Sequence, residues 1–221
     1  MNVLIVGYGK MGKLVEQLAS DAGMTIAGRV DEDGAGWAPA DVAIDFSTAE
    51  ALKSNFARYT DARMPVVIGT TGWGDALPGL QAAARQAHLG VVASANFSIG
   101  VNLFETIVRE AARLLQSHPQ YGAWIHEIHH AAKRDAPSGT AFLLRDAMVR
   151  AGYQHGIDMS SSRAGAIPGT HTVGFDGQSD TIELIHRARD RRGFAAGALL
   201  AARWIQGREG WYSMADVLGV N

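Results

Sequence analysis

Short apolar runs alternate with stretches of helical periodicity over the first half of the chain. Runs of this kind are typical of strands buried on both faces of a parallel sheet. They occupy residues 3–6, 24–30, 41–46, 65–68 and 90–93. Between some of them, at 11–22 and 77–87, apolar residues recur at helical spacing. Strands that alternate with helices predict an α/β fold built on a doubly wound parallel sheet.

The connection between the second and third predicted strands is unusually short. Only residues 32–41 separate them, and this segment contains Gly34, Gly36 and Pro39. A parallel crossover normally needs about a dozen or more residues, including a helix. We therefore expect a truncated loop here, which leaves one edge of the sheet thinly covered.

The pattern changes after Asn102. Helices are predicted over 103–115 and about 139–151, and strands over 171–175 and 181–186 are joined by the hairpin signal Asp176-Gly177. The Ser- and Gly-rich segment 156–169 is expected to form an extended loop, and residues 199–217 a helix. This half lacks the strand–helix alternation and is predicted to be α+β, which places a domain boundary near Gly100.

Composition and charge exclude several functions. The chain has 221 residues, no cysteine and a formal net charge of −2. Without cysteine there is no disulfide, thiolate zinc site, iron–sulfur cluster or cysteine nucleophile. Without a basic excess we expect no nucleic-acid or membrane partner. The apolar stretches are shorter than the ~20 residues that span a bilayer, and the N-terminus lacks a signal-peptide pattern. We expect a soluble, cytoplasmic protein.

A glycine-rich turn follows the first predicted strand. Its residues fit G-x-G-x-x-G: Gly7, Tyr8, Gly9, Lys10, Met11 and Gly12. A helix follows the turn and Asp31 ends the next strand, as in the Rossmann fingerprint for dinucleotides. There, the glycine backbone and the helix N-terminus hold the pyrophosphate, and Asp31 accepts a hydrogen bond from a ribose 2′-hydroxyl. The alternative is a glycine-rich turn without a ligand.

Two further loops follow predicted strands at the edge where open α/β sheets bind ligands. Small polar residues there can offer backbone groups to a nicotinamide ring. We expect cofactor contacts from Gly69, Thr70 and Thr71 in one loop and from Ser94, Ala95, Asn96 and Phe97 in the other.

Residues 126–130 match H-E-x-x-H, the pattern of zinc proteases. Helical spacing of the neighbouring apolar residues leaves open a helix with His126 and His130 on one face. The third-ligand extension of those proteases is absent, however. In a strand the two histidines lie about 13 Å apart, too far to share one metal ion. We therefore expect no metal site.

Residues 129–140 provide potential ligands for a small dianion: His129, His130, Lys133, Ser138, Gly139 and Thr140. The predicted helix that starts near Ser138 adds free backbone N–H groups and a positive dipole. These residues alone equally allow a solvated polar loop before a helix that Ser138 caps.

Residues 127–141 resemble the signature E-x-H-H-x-x-K-x-D-A-P-S-G-T-A of the dihydrodipicolinate reductase family at every fixed position. The resemblance covers nearly the whole chain, including segments 45–47, 69–72, 96–102, 163–165, 169–171, 186–188 and 194–198. It implies a Rossmann domain formed by residues 1–100 and about 196–221. It also implies an α+β domain on a mixed or antiparallel sheet, residues 101–195, which binds substrate and forms tetramers.

The resemblance further implies the chemistry. The family transfers a hydride from NAD(P)H to a cyclic imine dicarboxylate in lysine and diaminopimelate biosynthesis, and the resulting enamine carbon is then protonated. By motif position, His129 is the proton donor and acceptor and Lys133 a proton donor. The implied substrate contacts are His130, Ser138, Gly139 and Thr140. Two other functions stay open: a related Rossmann dehydrogenase acting on another amino or imino acid, and a non-catalytic cofactor sensor.

The cofactor preference depends on the residues around Asp31. Glu32 and Asp33 follow it, so three carboxylates cluster where the 2′-phosphate of NADPH would lie. Arg29 precedes this cluster, and its positive charge only weakly offsets the repulsion between these carboxylates and a 2′-phosphate. We expect the protein to use both cofactors and to favour NADH.

Two structural expectations follow from strand geometry. Because successive side chains of a strand face opposite sides, His129 and His130 can share a ligand only if the strand ends at about His129. The sheet of the second domain is expected to expose an apolar outer face that pairs subunits into a homotetramer. The residues expected on that face are Trp124, Ile125, Val173, Ile182 and Leu184.

Overall fold

The computed structural model describes residues 1–31 and 34–220, and within these ranges the chain forms ten strands and seven α-helices. The strands are β1 (Asn2–Val6), β2 (Thr25–Val30), β3 (Val42–Asp45), β4 (Val66–Ile68), β5 (Gly90–Ala93), β6 (Gly122–His129), β7 (Ile157–Arg163), β8 (Thr170–Asp176), β9 (Thr181–Arg187) and β10 (Gly210–Tyr212). The helices are α1 (Lys10–Ala19), α2 (Ala49–Asp61), α3 (Leu77–Gln86), α4 (Ile99–Leu115), α5 (Gly139–Arg150), α6 (Arg192–Trp204) and α7 (Met214–Leu218). No described helix is long and apolar enough to cross a membrane.

The first unit, Met1–Ile99 with Arg192–Asn221, is built on a six-stranded parallel sheet. The strand order is β10-β5-β4-β3-β1-β2. Alternate residues of β1 point to opposite faces: Val3 and Ile5 pack with α1 and α6, and Leu4 and Val6 with α2 and α3. Helices therefore cover both faces, and the predicted doubly wound α/β fold is confirmed.

Helix α2 is an element that the sequence analysis did not predict. Thr48 caps it, because its side-chain oxygen accepts a hydrogen bond from the backbone N–H of Ala51. The helix buries Leu52, Phe56 and Tyr59, whose i, i+4, i+7 spacing is the signal that could have predicted it.

The predicted helix over residues 199–217 is confirmed only at its two ends, which lie in α6 and α7, and is wrong for the residues between them. The chain forms α6, then β10, then α7, because Gly207 and Gly210 take φ angles of 70° and 124° that reverse its direction. Strand β10 pairs with β5. The approach is close: a Cβ on Gly90 would lie 2.2 Å from the carbonyl oxygen of Arg208.

The short connection between β2 and β3 has no helix in its described part, residues 34–41. It lies directly on β2, since a Cβ on Gly28 would be 2.4 Å from the carbonyl oxygen of Gly36. Trp37 fills part of the space that a crossover helix normally takes, with its ring 5.8 Å from that of Tyr59. The expected acidic neighbours Glu32 and Asp33 lie outside the described residues.

The second unit, Gly100–Arg191, has a four-stranded mixed sheet in the order β7-β6-β8-β9. Strands β6 and β7 are parallel, and the other two pairs are antiparallel. Helices α4 and α5 pack on one face, which contains Ile125, Val173 and Phe175. The predicted β8–β9 hairpin is confirmed, and so is the α+β class of this unit.

The expectation of an extended loop over residues 156–169 is wrong for most of its length. Residues Ile157–Arg163 form the edge strand β7, which pairs with β6 along its whole length. The consecutive serines at 160–162 interrupt the alternation of apolar and polar side chains that would identify a strand. The strand conformation depends instead on backbone pairing with β6 and on contacts such as the one between Ser160 Oγ and His126 Nδ1 at 2.8 Å.

The expected outer face of this sheet is also wrong in its residues. Ile125, Val173 and Leu184 pack into the core under the helices. Neighbours such as Trp124 and Ile125 cannot share a face, because side chains alternate along a strand. Strand register places Trp124 on the uncovered face, together with His126, Ile128, Thr172 and Ile185. That face is therefore mixed in polarity.

Candidate active site

The glycine-rich turn of the first unit has the shape that a dinucleotide requires. Gly7 has a φ of 85°, and a Cβ there would lie 2.5 Å from the backbone of Phe46. A Cβ on Gly12 would lie 2.5 Å from the carbonyl oxygen of Gly7. These two glycines are needed for close packing, and the space in front of Gly9 is open, with no described atom within 4 Å of an added Cβ.

The N-terminus of α1 offers free backbone donors in the same turn. Gly9 is the N-cap residue and supplies no side-chain cap to the first N–H groups of the helix. Such donors, together with the helix dipole, favour a bound phosphate. An open approach at Gly9 and an uncapped helix start fit a pyrophosphate. Lys10 and Met11 form the first turn of α1, and Asp31 directly follows β2.

Tyr8 of the glycine turn belongs to a charged network that sequence reasoning missed. Its hydroxyl donates to Glu16 of α1, and Arg29 of β2 donates to the same carboxylate through Nε and Nη2. The guanidinium also lies over the Tyr8 ring, 5.8 Å from its centre. The hydrogen bonds from Arg29 and Tyr8 lower the pKa of Glu16 to about 2. Arg29 is thus held by a carboxylate nearly two turns from the start of α1.

A buried carboxylate organises the loop after β4. Asp45 accepts hydrogen bonds from Tyr59 Oη at 2.7 Å, Thr70 Oγ1 at 3.0 Å and Ser47 N at 2.8 Å. Burial first, and then the charge of Asp45, raises the pKa of Tyr59. These bonds fix Thr70, and Gly69 fits against the ring of Phe46, where a Cβ would be 2.1 Å from Cε1. Thr71 lies beside them and is exposed.

The loop after β5 lies next to this one. Ser94 N donates to the carbonyl oxygen of Ile68 at the end of β4. Ser94 Oγ donates to the carbonyl oxygen of Asn96 at 2.8 Å, with Ala95 between them. Phe97 is buried in the core of the unit. Both expected cofactor loops therefore lie at the carboxyl ends of neighbouring strands.

Strand β6 positions the candidate acid–base residues of the second unit. It places Glu127 and His129 on the buried face and His126 on the opposite one. The helical alternative for H-E-x-x-H is therefore excluded. The strand ends at His129, as predicted. His130 begins a turn, in which its carbonyl oxygen accepts a hydrogen bond from the backbone N–H of Lys133.

Glu127 binds two partners at once. Arg163 at the end of β7 donates from Nη2 to one carboxylate oxygen at 2.7 Å, and His129 Nδ1 contacts the other oxygen. Burial opposes the ionisation of Glu127, but these hydrogen bonds outweigh it and lower the pKa to about 2. Burial also lowers the pKa of His129, and Glu127 opposes that shift only in part.

His171 of β8 packs against His129, with ring centres 5.1 Å apart in an edge-to-face arrangement. Its Nε2 lies 3.1 Å from Ser138 Oγ, which also caps α5 by accepting from Ala141 N. Burial lowers the pKa of His171 to about 4, so the ring is neutral near pH 7. His171 and Arg163 have no role that the sequence motifs predict. Their place beside His129 depends on sheet register.

The remaining predicted ligands lie in the segment after β6. Lys133 Nζ is 2.7 Å from Asp135 Oδ1 and a quarter exposed. Gly139 and Thr140 form the first turn of α5, where backbone N–H groups are free of intrahelical partners. Ser138 is buried and its hydroxyl is already used twice. The predicted roles of these residues stay predictions.

Glu127, His129 and His171 could each offer an atom to one ion, since three such atoms lie within 4.8 Å of one another. The positive charge of Arg163 beside Glu127 disfavours a cation there. We interpret the three side chains as an acid–base cluster.

Comparison with known proteins agrees with the resemblance. Residues 1–97 match the family described as "Dihydrodipicolinate reductase, N-terminus" and residues 100–218 match "Dihydrodipicolinate reductase, C-terminus". Two proteins named 4-hydroxy-tetrahydrodipicolinate reductase are similar over nearly their whole lengths. The one from Christiangramia forsetii is 34% identical over 99% of this chain and 98% of its own. The one from Zymomonas mobilis is 37% identical over 98% and 96%.

A solved structure shares the fold. The dipicolinate-bound dihydrodipicolinate reductase of Paenisporosarcina sp. TG-14 has a TM-score of 0.84 and 21% identity, with 98% of both chains covered. The two matched segments together span almost every residue, and the relatives match over their full lengths. This chain belongs to the dihydrodipicolinate reductase family.

Proposed function

We propose that the protein is an NAD(P)H-dependent 4-hydroxy-tetrahydrodipicolinate reductase that forms tetrahydrodipicolinate for lysine and diaminopimelate biosynthesis. The observation that carries this is the acid–base cluster of the second unit. The buried imidazole of His129 contacts the carboxylate of Glu127. Lys133 and then the N-terminus of α5 follow His129 along the chain. Family membership supports the same reaction.

The residues of the second unit suit a dicarboxylate substrate. The free N–H groups of Gly139 and Thr140 and the ammonium of Lys133 can bind carboxylates. Asp135 holds Lys133 in the substrate-free protein, and a bound dianion competes for the same ammonium. His129 can then donate a proton to the enamine carbon. The nicotinamide cofactor supplies the hydride when it is bound in the first unit.

An absorbance assay tests the proposal. The substrate is generated enzymatically, and the oxidation of NADH is followed in the presence of this protein. We expect rapid oxidation that depends on the substrate. NADH oxidation with other cyclic or open-chain imino acids, but not with this one, would point to a related dehydrogenase. Cofactor binding without any turnover would point to a sensor.

We also propose that NADH is preferred over NADPH. Glu16 neutralises Arg29, which is a cation near Asp31 that could otherwise attract a 2′-phosphate. Because Glu16 rather than a ligand occupies this guanidinium, NADPH gains little from it while Asp31 repels the phosphate. NADPH is still accepted, since the described part of the short connection after β2, residues 34–41, contains no helix that would cover the adenosine end of the cofactor.

Glu16→Gln is expected to tighten NADPH binding about fivefold, or ~1 kcal/mol, because it releases the charge of Arg29. NADH binding should change little, and adding Arg29→Gln should abolish the gain. Fluorescence titration of both cofactors at low salt measures this. Glu110→Gln, which breaks a similar exposed pair with Arg113, is the matched control. Equal changes for both cofactors in Glu16→Gln would contradict a role in selectivity.

A homotetramer is proposed as the working form, and the reaction is placed in the cytoplasm, which supplies reduced cofactor. On the uncovered sheet face of the second unit, Trp124 packs against Gly174, where a Cβ would be 2.2 Å from the indole. Ile128 and Ile185 lie on the same face and add apolar surface to that of Trp124. Light scattering of the wild-type protein is expected to give four times the chain mass of 23.5 kDa. The variant Trp124→Glu should form a species of lower mass. A wild-type monomer at micromolar concentration contradicts the proposal.

A further inference from the structure

The buried carboxylate beside the candidate proton donor has a role of its own. We propose that Glu127 is a positioning residue that keeps the Nδ1 of His129 protonated, so that Nε2 is the atom that exchanges a proton with the substrate. The part concerning substrate rests on the proposed reductase function. The part concerning the tautomer of His129 does not.

The hydrogen-bond partners of Glu127 determine the tautomer. Its side chain has no exposed surface, and Arg163 donates to Oε1 at 2.7 Å. The other oxygen, Oε2, contacts His129 Nδ1. A carboxylate paired with a guanidinium is ionised and can only accept hydrogen bonds. The proton in the second contact must therefore come from the ring, which makes the neutral form of His129 the Nδ1–H tautomer.

Nε2 is the ring nitrogen of His129 that makes no hydrogen bond to a described residue, and it is not among the buried atoms without a partner. Gly169 packs beside it: a Cβ there would lie 2.9 Å from Nε2, so only a glycine leaves room at this atom. His171 packs against the side of the ring but uses its own Nε2 to contact Ser138. A substrate that reaches the cluster therefore meets Nε2, while Nδ1 is covered by Glu127.

The charges around His129 come from four neighbouring segments. Glu127 lies on the same strand, Arg163 on β7, neutral His171 on β8 and Lys133 on the segment that follows β6. Burial and the two cations lower the pKa of His129, and Glu127 is the one negative group among these neighbours that raises it. The carboxylate thus fixes the ring and also supports its charged form.

The proton transfer balances with these roles. Charged His129 gives its Nε2 proton to the enamine carbon and becomes the neutral Nδ1–H tautomer, which Glu127 already binds. The new C–H bond forms as the N–H bond breaks, and water later returns a proton to Nε2. No rotation of the ring is required between turnovers.

Replacement of Glu127 by glutamine tests the role at nearly constant shape. The amide oxygen must face Arg163, since the guanidinium has only donors, and the amide NH₂ then faces His129 Nδ1. Neutral His129 is forced into the Nε2–H tautomer, and its charged form loses its anionic partner. We expect kcat to fall about 10²–10⁴-fold, with the alkaline limb of the pH profile displaced to lower pH. Glu183→Gln on the exposed strand β9 is the control and should change neither.

Two-bond proton–nitrogen NMR correlation of the histidine rings gives a readout independent of activity. In the wild-type protein, His129 should show a protonated Nδ1 and a bare Nε2 at high pH, and Glu127→Gln should reverse this. An Nε2–H tautomer in the wild type overturns the proposal, even if the glutamine variant does not fold. Lower activity with an unmoved pH profile also overturns it. Correct tautomers without reductase activity would instead contradict the proposed function alone.

Discussion

His129→Ala and Lys133→Ala are each expected to lower turnover of 4-hydroxy-tetrahydrodipicolinate by about 10²–10⁴-fold, the usual contribution of a positioned acid. His129→Ala removes the ring that Glu127 orients, and water cannot take its place at a fixed position. Lys133→Ala removes the second proton donor that the family motif implies, an ammonium that pairs with Asp135 in the free protein. Single-turnover measurement of NADH oxidation separates this loss from slow product release.

The controls for this prediction are histidine and lysine residues in comparable settings. Lys53 forms a similar ion pair with Asp75, with Nζ and Oδ2 2.8 Å apart, but it lies on α2 of the first unit. His155 is a half-buried histidine of the second unit whose Nε2 contacts the carbonyl oxygen of Gln116. Lys53→Ala and His155→Ala should keep most of the activity, and all four variants should bind NADH normally. Near-normal turnover in His129→Ala and Lys133→Ala would contradict the assignment of both residues.

The fold was predictable where local pattern and burial agree. The strands β1 and β3 to β5 are apolar apart from Asn2 and the buried Asp45, because both of their faces are covered, so each stands out in the sequence. Five of the seven residues of strand β7 are polar, the strand lies at a sheet edge, and its conformation depends on pairing with β6. Strand β10 contains only Gly210, Trp211 and Tyr212. It is defined by its partner β5, so propensity and periodicity could not identify it.

The candidate site was predictable only along the motif itself. His129, His130 and Lys133 lie close in sequence, and their nature alone suggests proton transfer and anion binding. Arg163 and His171 reach the same cluster from β7 and β8, through registers that pair His129 with Arg163 and Glu127 with His171. A one-residue shift of either strand would turn these side chains to the other face. Register of this kind follows from packing of the whole sheet.

Acidification is expected to destabilise the second unit through His171. The ring is 4% exposed and its pKa is about 4 in the folded protein, against an ordinary value of 6.5. In the unfolded chain His171 therefore takes up a proton below pH 6.5, whereas in the folded chain it does so only below about pH 4. A group of this kind gives its full stabilisation above pH 6.5 and loses ~1.4 kcal/mol for each pH unit below it.

Between pH 7 and pH 4.5 this amounts to about 3 kcal/mol of unfolding free energy. Ionised Glu127, with a pKa of about 2, stabilises the folded protein fully above pH 4.5. This stabilisation is lost only at lower pH, so it does not contribute between pH 7 and pH 4.5.

His171→Gln can keep a hydrogen bond with Ser138 but cannot take up the proton. Urea unfolding at the two pH values should therefore show a smaller acid loss in His171→Gln than in the wild type, by about 3 kcal/mol. The variant His118→Gln, at an exposed site of the second unit, should retain the wild-type loss. An equal loss in His171→Gln and the wild type would mean that His171 is already charged, or already hydrated, in the folded protein.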